Sequence, residues 1–219
     1  MTNNIKPQSD NPTAPPPKSS PPANNKFGRL FIVSGPSQVG KDSIVKMVKQ
    51  DRRLKLEHIV TNTTRAPRPG EQQGITYNFW RDEQFKKLIQ RHELLEWAIV
   101  RQSYFGTPKK PVLKALQDGK NVILQIDVQG AAQIKKKHPN AVLIFITAES
   151  DQEVKRRIYK SNKMTLDLKK SRWQEAIREL VAQTQYDYVV VNRFGKLKDT
   201  VKQVKDIILN TLAKPKIYE

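Results

Sequence analysis

The 219-residue chain contains no cysteine, and this absence excludes several kinds of site. Disulfide bonds, thiol nucleophiles and cysteine-ligated zinc all require that residue. The three histidines, His58, His92 and His138, stand far apart in the sequence among unlike neighbours, which argues against a histidine metal cluster. The lack of cysteine also fits a reducing compartment, and we therefore expect a cytoplasmic protein.

Long apolar runs are missing as well. The longest, residues 141–146, has the length of a strand, whereas a membrane-spanning helix needs roughly 18 apolar residues. We therefore expect no contact with a membrane. The chain is nevertheless 37% hydrophobic, which is enough to bury a core.

Acidic residues are few, with 21 against 40 basic ones, so the formal net charge is +19. Residues 1–26 contribute +2 of this charge, which leaves +17 for the remainder. Such a charge attracts polyanions, including nucleotides and nucleic acid. A solvated basic face, to which residues 135–137 would belong, is favoured over a nucleic-acid site. The chain has neither an aromatic-rich RNA-binding signature nor zinc-finger spacing.

Residues 1–26 form a leader that contains seven prolines among Asn, Ser and Lys. A segment of this composition cannot bury enough apolar surface to fold, so we predict that it is disordered. It lacks the apolar segment of a secretory signal and the arginines of a typical transit peptide, which makes an organelle address the less favoured alternative.

Residues 30–43 have the pattern of a phosphate-binding P-loop. A short apolar strand ends at Gly35, the spacing Gly35-x-x-x-x-Gly40-Lys41 follows, and an amphipathic run comes after it. In such a loop the backbone N–H groups and a helix N-terminus face phosphates, and the lysine reaches the terminal ones. One position departs from the pattern, because Asp42 stands where Ser or Thr usually binds Mg²⁺.

Apolar runs of strand length alternate with helical patterns along the rest of the chain. The predicted strands are 30–34, 56–61, 75–80, 94–100, 122–127, 141–146 and 189–191, and a capping box at Ser150 and Glu153 opens one of the intervening helices. Residues 154–173 are polar and basic, which suits a mobile lid better than a core element. This alternation predicts an α/β fold with a parallel sheet flanked by helices.

Two further features carry possible chemistry. The loop 63–74 contains Arg65 and Arg68, which could bind a second phosphate or could be ordinary surface charge. Glu96 lies inside an apolar strand, where a half-buried acid needs a partner. That partner could be a structural salt bridge, or it could be the paired N–H donors on one edge of a guanine.

The sequence resembles the guanylate kinases from about Gly28 to its last helix. The resemblance rests on several motifs in order, of which the arginine loop is highly specific. They are Val33-Ser34-Gly35-Pro36-Ser37, Thr63-Thr64-Arg65-Ala66-Pro67-Arg68-Pro69-Gly70-Glu71, Leu95-Glu96-Trp97, Gly106-Thr107, Ile126-Asp127-Val128-Gln129-Gly130 and Tyr186-Asp187-Tyr188-Val189-Val190-Val191-Asn192.

This resemblance implies an ATP:GMP phosphotransferase with ATP and Mg²⁺ as cofactors, and it leaves open whether dGMP also serves. It further implies a P-loop core (residues 27–60, 108–151 and 176–219), a small mixed-strand insertion that binds GMP (61–107) and a helical lid (152–175). The oligomeric state stays open.

The resemblance also assigns roles by position. The GMP phosphate would be bound by Arg65, Arg68 and Tyr77, with Glu71 bracing their loop, and the guanine by Thr61, Glu96, Thr107 and Asp127. ATP would be bound by Gly35, Pro36, Ser37, Gln38, Val39, Gly40, Lys41, Asp42, Ser43 and Asn192. Lys41, Arg65, Arg157 and Arg172 would be catalytic: Lys41 neutralises the transferring phosphoryl group, and Arg157 and Arg172 close over ATP.

Several positions depart from the family pattern. Phe105 replaces a tyrosine that donates to the GMP phosphate, Gln38 replaces a loop glycine, and Ser161 replaces a lid arginine, with Lys160 and Lys163 as substitutes. Gln125 stands where an acid lies near the metal. We hypothesise that Asp42 binds Mg²⁺ directly and that Gln125 compensates for the added charge; the alternative is an inactive P-loop.

Two other functions stay open at this point. Some domains of this fold bind phosphorylated peptides without catalysis, but Lys41 and Glu96 argue against that function because a peptide-binding descendant needs neither. A kinase for a different small phosphate is the second alternative, against which Glu96, Asp127 and the arginine loop argue. Nucleic-acid binding through the basic body could coexist with kinase activity.

Overall fold

The computed structural model describes residues 27–162 and 164–214. The predicted leader (1–26) and Lys163 lie outside the described residues. In the described part of the chain the strands are β1 (Leu30–Ser34), β2 (Leu56–Glu57), β3 (Asn62–Thr63), β4 (Asn78–Phe79), β5 (Leu94–Val100), β6 (Ser103–Pro108), β7 (Asn121–Gln125), β8 (Val142–Thr147) and β9 (Tyr188–Val191). The helices are α1 (Lys41–Lys49), α2 (Asp82–Gln90), α3 (Lys109–Gln117), α4 (Val128–Lys137), α5 (Asp151–Lys160), α6 (Leu166–Val181) and α7 (Leu197–Ala213).

A parallel sheet forms the centre of the protein, with the strand order β2-β7-β1-β8-β9. Strand β1 lies in the middle, and all five of its residues are buried. It pairs in parallel with β7 and β8, so that Val33 stands opposite Gln125 on one side and Ile144 on the other. Because the carboxyl ends of parallel strands share one edge, the loops after β1 and β7 are brought together there.

Helices cover both faces of this sheet, as the alternation of side chains along β1 requires. Phe31 and Val33 belong to one apolar cluster, which includes buried residues of α1, α5 and α7. Leu30 and Ile32 belong to a second cluster, which includes buried residues of α3 and α4. The predicted α/β fold with a flanked parallel sheet is confirmed.

A second, mixed sheet has the strand order β4-β3-β6-β5. Strands β3 and β4 run parallel, while β6 is antiparallel to both β3 and β5. These strands lie between residues 62 and 108, and the small mixed-strand insertion was predicted at 61–107. The division of the chain into core, insertion and lid stays a prediction.

Three local predictions were wrong. The strands expected at 56–61 and 75–80 shrink to the two-residue strands β2 and β4. In the second case the N–H groups of Ile75 and Thr76 both donate to the carbonyl of Gln72, which makes a turn. The expectation that 154–173 is unsuited to a core fails for Val154 and Ile158, which have no exposed surface and pack in the cluster with β1.

Candidate functional site

The P-loop lies at the carboxyl end of β1, and two of its glycines are required by close approaches. Gly35 has a φ of 137°, and a Cβ there would lie 2.0 Å from the carbonyl oxygen of Ile146. Gly40 has a φ of 93°, and a Cβ there would lie 2.6 Å from Asn192 Nδ2. Gln38 also has a positive φ, 67°, which a side chain disfavours. Gln38, which replaces a loop glycine, therefore occupies a backbone conformation that glycine adopts without strain.

Asn192, predicted as an ATP ligand, follows β9 and contacts the P-loop. Its buried side chain donates to the carbonyl of Val39 at 2.8 Å and accepts from Thr200 Oγ1 at 2.8 Å. Both amide atoms are thus used within the protein. Asn192 holds the P-loop in shape from its position after β9.

Lys41 is the first residue of α1, and its side chain curls back along the loop. Its Nζ donates to the carbonyls of Gly35 and Pro36, the latter at 2.6 Å. Burial lowers the pKa of Lys41, and the carboxylates of Glu179 and Asp42 oppose that shift. The lysine is a partly buried cation at the P-loop, where phosphate oxygens could replace the carbonyls.

The two departures from the metal-binding pattern are in direct contact. Gln125, at the end of β7, donates from Nε2 to Asp42 Oδ1 at 2.5 Å. Asp42 lies in the first turn of α1, where the helix dipole favours a negative charge. The contact does not use Asp42 Oδ2 or Gln125 Oε1, and such oxygens are the kind of atom that a hard cation binds.

Glu96 lies deep in the molecule, with 3% of its surface exposed. It accepts a hydrogen bond of 2.6 Å from Thr107 Oγ1 across the β5–β6 hairpin. Burial raises the pKa of Glu96 to about 7; the hydrogen bond from Thr107 opposes the shift and the charge of Asp127 adds to it. A Cβ at Gly130 would lie 2.3 Å from Glu96 Oε2, so the start of α4 needs glycine to admit the carboxylate.

Asp127 is the N-cap of α4, and its Oδ1 accepts from the N–H of Gly130 at 2.8 Å. Burial raises its pKa. Glu96 and Asp127 line a cavity of about 190 Å³ together with Gly35, Lys41, Thr61, Tyr77, Phe105, Gln125 and Glu179. Two acids and the P-loop lysine thus line one cavity, which we call the acceptor cavity.

The arginine loop is braced by one carboxylate. Glu71 accepts two bonds of 2.9 Å from Arg65 Nη2 and one of 2.8 Å from the backbone N–H of Arg68. The Arg65 guanidinium lies 5.6 Å from the centre of the Tyr77 ring, whose edge meets Phe105. Glu71 therefore holds the loop, and the exposed side chain of Arg68 is left to meet a ligand.

The two predicted lid arginines lie in different surroundings. Arg172 of α6 donates from Nη1 to Ser37 Oγ in the P-loop. Arg157 of α5 donates to Glu153 Oε1 at 2.7 Å, to Glu149 Oε2 at 3.0 Å and to the carbonyl of Asn192 at 2.9 Å. Both arginines line a second cavity of about 840 Å³, with Gln38, Gly40, Ser43, Lys160 and Ser161. We call it the donor cavity, and Arg68 and Asn192 line it as well.

The sequence analysis missed Glu179 and Arg101, which line the acceptor cavity. Burial raises the pKa of Glu179 to about 7, although the charge of Lys41 opposes this. Residues 172, 175 and 179 lie on one face of α6, at a spacing of three and four. The buried Ala176 and Leu180 show which way that helix faces, and this apolar spacing was the signal available in the sequence.

The comparisons with known proteins agree with this geometry. The family model for guanylate kinase matches residues 27–211. The chain is 40% identical over 185 residues to a guanylate kinase of Caldanaerobacter subterraneus subsp. tengcongensis, covering 84% of this chain and 88% of the relative. It is 38% identical over 187 residues to the Helicobacter pylori guanylate kinase, covering 85% and 87%. The crystal structure of the Anaplasma phagocytophilum guanylate kinase superposes with a TM-score of 0.71 at 27% identity, covering 86% and 88%.

Proposed function

Because the chain belongs to the guanylate kinase family, we propose that it holds GMP in the acceptor cavity and ATP in the donor cavity, with Lys41 between them. The protein is an ATP:GMP phosphotransferase, which makes ADP and GDP. The observation that carries our assignment of the cavities is the pair of acids that line the acceptor cavity, of which Glu96 is buried and Asp127 half-buried.

Guanine recognition follows from the donors on its edge. Guanine offers N1–H and N2–H₂ side by side, and the Glu96 carboxylate can accept from both. Thr107 already occupies one lone pair of Oε1 and fixes the carboxylate in place. Adenine lacks both donors and would leave a buried carboxylate unpaired, a mismatch that discriminates strongly. We assign Asp127 and Thr61 to the remaining guanine contacts and Arg65, Arg68 and Tyr77 to the phosphate.

On the donor side, the backbone of residues 35–43 would surround the ATP phosphates. Lys41 would leave the carbonyls of Gly35 and Pro36 for the transferring phosphoryl group, and Arg172, already in contact with Ser37, would neutralise charge beside it. Phosphoryl transfer asks the protein for alignment and charge stabilisation more than for covalent chemistry. Arg157, which is tied to two carboxylates, would shape the ATP side.

Magnesium would be held by Asp42, with Gln125 beside it. The oxygens at this site suit that ion, and Mg²⁺ is usually bound by one or two carboxylates and the substrate phosphates. Among the described residues, no group of three or more His, Cys, Asp or Glu side chains is placed to hold a metal ion. When bound, the ion would neutralise charge on the ATP phosphates.

We propose the cytoplasm as the location, in keeping with the absence of cysteine. No helix within residues 27–162 and 164–214 is both long and apolar enough to cross a membrane. We do not include a nucleic-acid partner in the proposal, because a solvated basic face is the favoured interpretation of the charge.

One assay tests the proposal. ADP release is measured with ATP and Mg²⁺ in the presence of GMP, dGMP, AMP, CMP or UMP. We expect rapid release with GMP and background rates with AMP, CMP and UMP. If GMP gives no release at high enzyme concentration, the kinase assignment fails and the domain would be a phosphate-binding module.

The acid in the guanine pocket predicts a pH dependence. Lowering the pH from 8 to 6 is expected to raise KM for GMP about tenfold, because Glu96, whose pKa burial raises to about 7, must be ionised to accept from guanine. Initial rates across this range measure the effect. The phosphate of GMP also titrates in this range, with a second pKa near 6, and this adds the same pH dependence to the KM of every variant. Glu96→Gln must therefore show a flatter profile than the native enzyme, and an equally steep one would contradict the assignment.

A further inference from the structure

The turn that joins β5 and β6 has an unusual sequence for its shape. Val100 pairs with Ser103, so the loop consists of Arg101 and Gln102 alone. Both have positive φ, 48° and 65°, as a type I′ turn requires. That turn strongly favours Asn-Gly, because longer side chains disfavour the left-handed region. An arginine is thus held at the tip against the local backbone preference.

The tip carries Arg101 towards the end of the acceptor cavity away from the guanine pocket. Along β6 the order is Thr107, which contacts Glu96, then Phe105, then Ser103 at the tip. Phe105 and Arg101 both line the cavity, and the phenylalanine ring offers no hydrogen-bond donor there. If the base sits at Glu96, the phosphate of the same ligand extends along the hairpin towards Arg101.

The guanidinium of Arg101 has N–H donors beyond the one that faces Glu175. Its Nε lies 3.4 Å from Glu175 Oε2 of α6, and about a third of the side chain is exposed. Within the described residues no other ion pair of Arg101 occurs. An arginine has five N–H donors, and a long single ion pair uses few of them. The remaining donors can bind an oxyanion in the cavity.

Other cations surround this point. The pKa of Arg172 is lowered by burial and then by the charges of Arg101 and Arg68. The same charge of Arg101 acts on Lys41, where burial is again the larger cause. Cations brought this close repel one another, and the nearby Glu175 and Glu179 offset the repulsion only in part. An anionic ligand among them would remove it.

We propose that Arg101 binds the phosphate of GMP, exchanging its contact with Glu175 for that phosphate when the nucleotide enters. This inference rests on the proposed placement of GMP in the acceptor cavity. On this proposal the strained turn presents a cation to the cavity, and Glu175 is the partner that the cation leaves when the nucleotide enters. The contact would act beside the arginine loop as an additional phosphate ligand.

The test replaces the two turn residues with Asn-Gly, the sequence that a type I′ turn favours. Arg101→Asn with Gln102→Gly removes the guanidinium and relieves the turn, so the variant is expected to fold with a higher melting temperature. Titration calorimetry of the full chain with GMP and with guanosine gives the contribution of the phosphate. We expect about 10-fold to 100-fold weaker GMP binding, since one charge-assisted contact is lost, and unchanged guanosine binding.

Two single variants serve as controls. Gln102→Gly relieves the turn without touching the charge and is expected to keep GMP binding and turnover at native values. Glu175→Gln frees Arg101 and is expected to bind GMP at least as tightly as the native protein. Unchanged GMP binding in the double variant, or an equal loss for GMP and guanosine, would overturn the proposal in favour of a purely structural ion pair. The rate at which the native protein phosphorylates GMP is measured alongside. If that rate is well above background, the kinase assignment itself has not failed.

Discussion

Replacing Glu96 with glutamine is expected to lower kcat/KM for GMP by about 10³-fold. The amide cannot accept from both guanine donors, and one of its own N–H groups would face one of them. Two hydrogen bonds to a charged group are worth roughly 1.5–3 kcal/mol each, which corresponds to a loss between about 10²-fold and 10⁴-fold. Steady-state rates with GMP measure it, and Glu83→Gln, an exposed acid of α2 changed in the same way, should behave as the native enzyme.

The same substitution is expected to stabilise the protein at pH 8 by up to about 3 kcal/mol. Burial raises the folded-state pKa of Glu96 from 4.5 to about 7, so between these values the folded protein binds more protons than the unfolded chain. Stability contributed by this carboxyl is therefore present at low pH and lost as the pH rises from about 4.5 to 7. Glutamine carries no such penalty, and its Oε1 can still accept from Thr107.

Denaturant unfolding at pH 4.5 and pH 8 tests the stability effect, since the gain should be small at the lower pH and full at the higher one. Lost activity together with gained stability would identify Glu96 as a functional acid whose burial costs stability. If kcat/KM for GMP falls less than tenfold, another group must recognise the guanine. A stability gain of equal size at both pH values would mean that packing, and not ionisation, is responsible.

The parallel sheet could be predicted because its strands are apolar and its connections helical. Residues 30–33 are all apolar, so both faces of the strand are apolar. This pattern is typical of a strand that is buried on both faces of a sheet, and the structure buries all four residues. The mixed sheet could not be predicted in detail, because β3 and β4 contain two residues each and depend on long-range pairing. Their hydrogen bonds are set by the hairpin they join and not by local propensity.

The candidate site shows the same division. Local motifs with fixed spacing, such as Gly35 to Lys41, were visible in the sequence, but residues that act through packing were not. Glu179 is one acid among several on a polar helix until the fold lays α6 across the P-loop. Arg101 stands in a turn that lacks the usual glycine, so no pattern in the sequence indicated that this turn would bring it to the cavity.

Replacing Asp42 with serine is expected to lower kcat by about 10²-fold and to raise the Mg²⁺ concentration needed for half-maximal rate. The change restores the usual P-loop hydroxyl, yet it leaves Gln125 beside the metal and so removes the site's carboxylate. Gln125→Asp alone is expected to be worse, since it places two carboxylates together. At 4 Å and an effective dielectric constant near 20, their repulsion is about 4 kcal/mol, or nearly 10³-fold.

The double variant, Asp42→Ser with Gln125→Asp, tests whether Gln125 compensates for the charge of Asp42 or whether the P-loop has lost its function. The hydrogen bond of 2.5 Å between these side chains shows that they share one environment, so their effects should not be independent. If one carboxylate is needed and either position can supply it, the double variant recovers most of the native rate and Mg²⁺ dependence. Deficits that simply add would refute the compensation. A rise in activity for Asp42→Ser alone would show instead that the aspartate damages an otherwise ordinary P-loop.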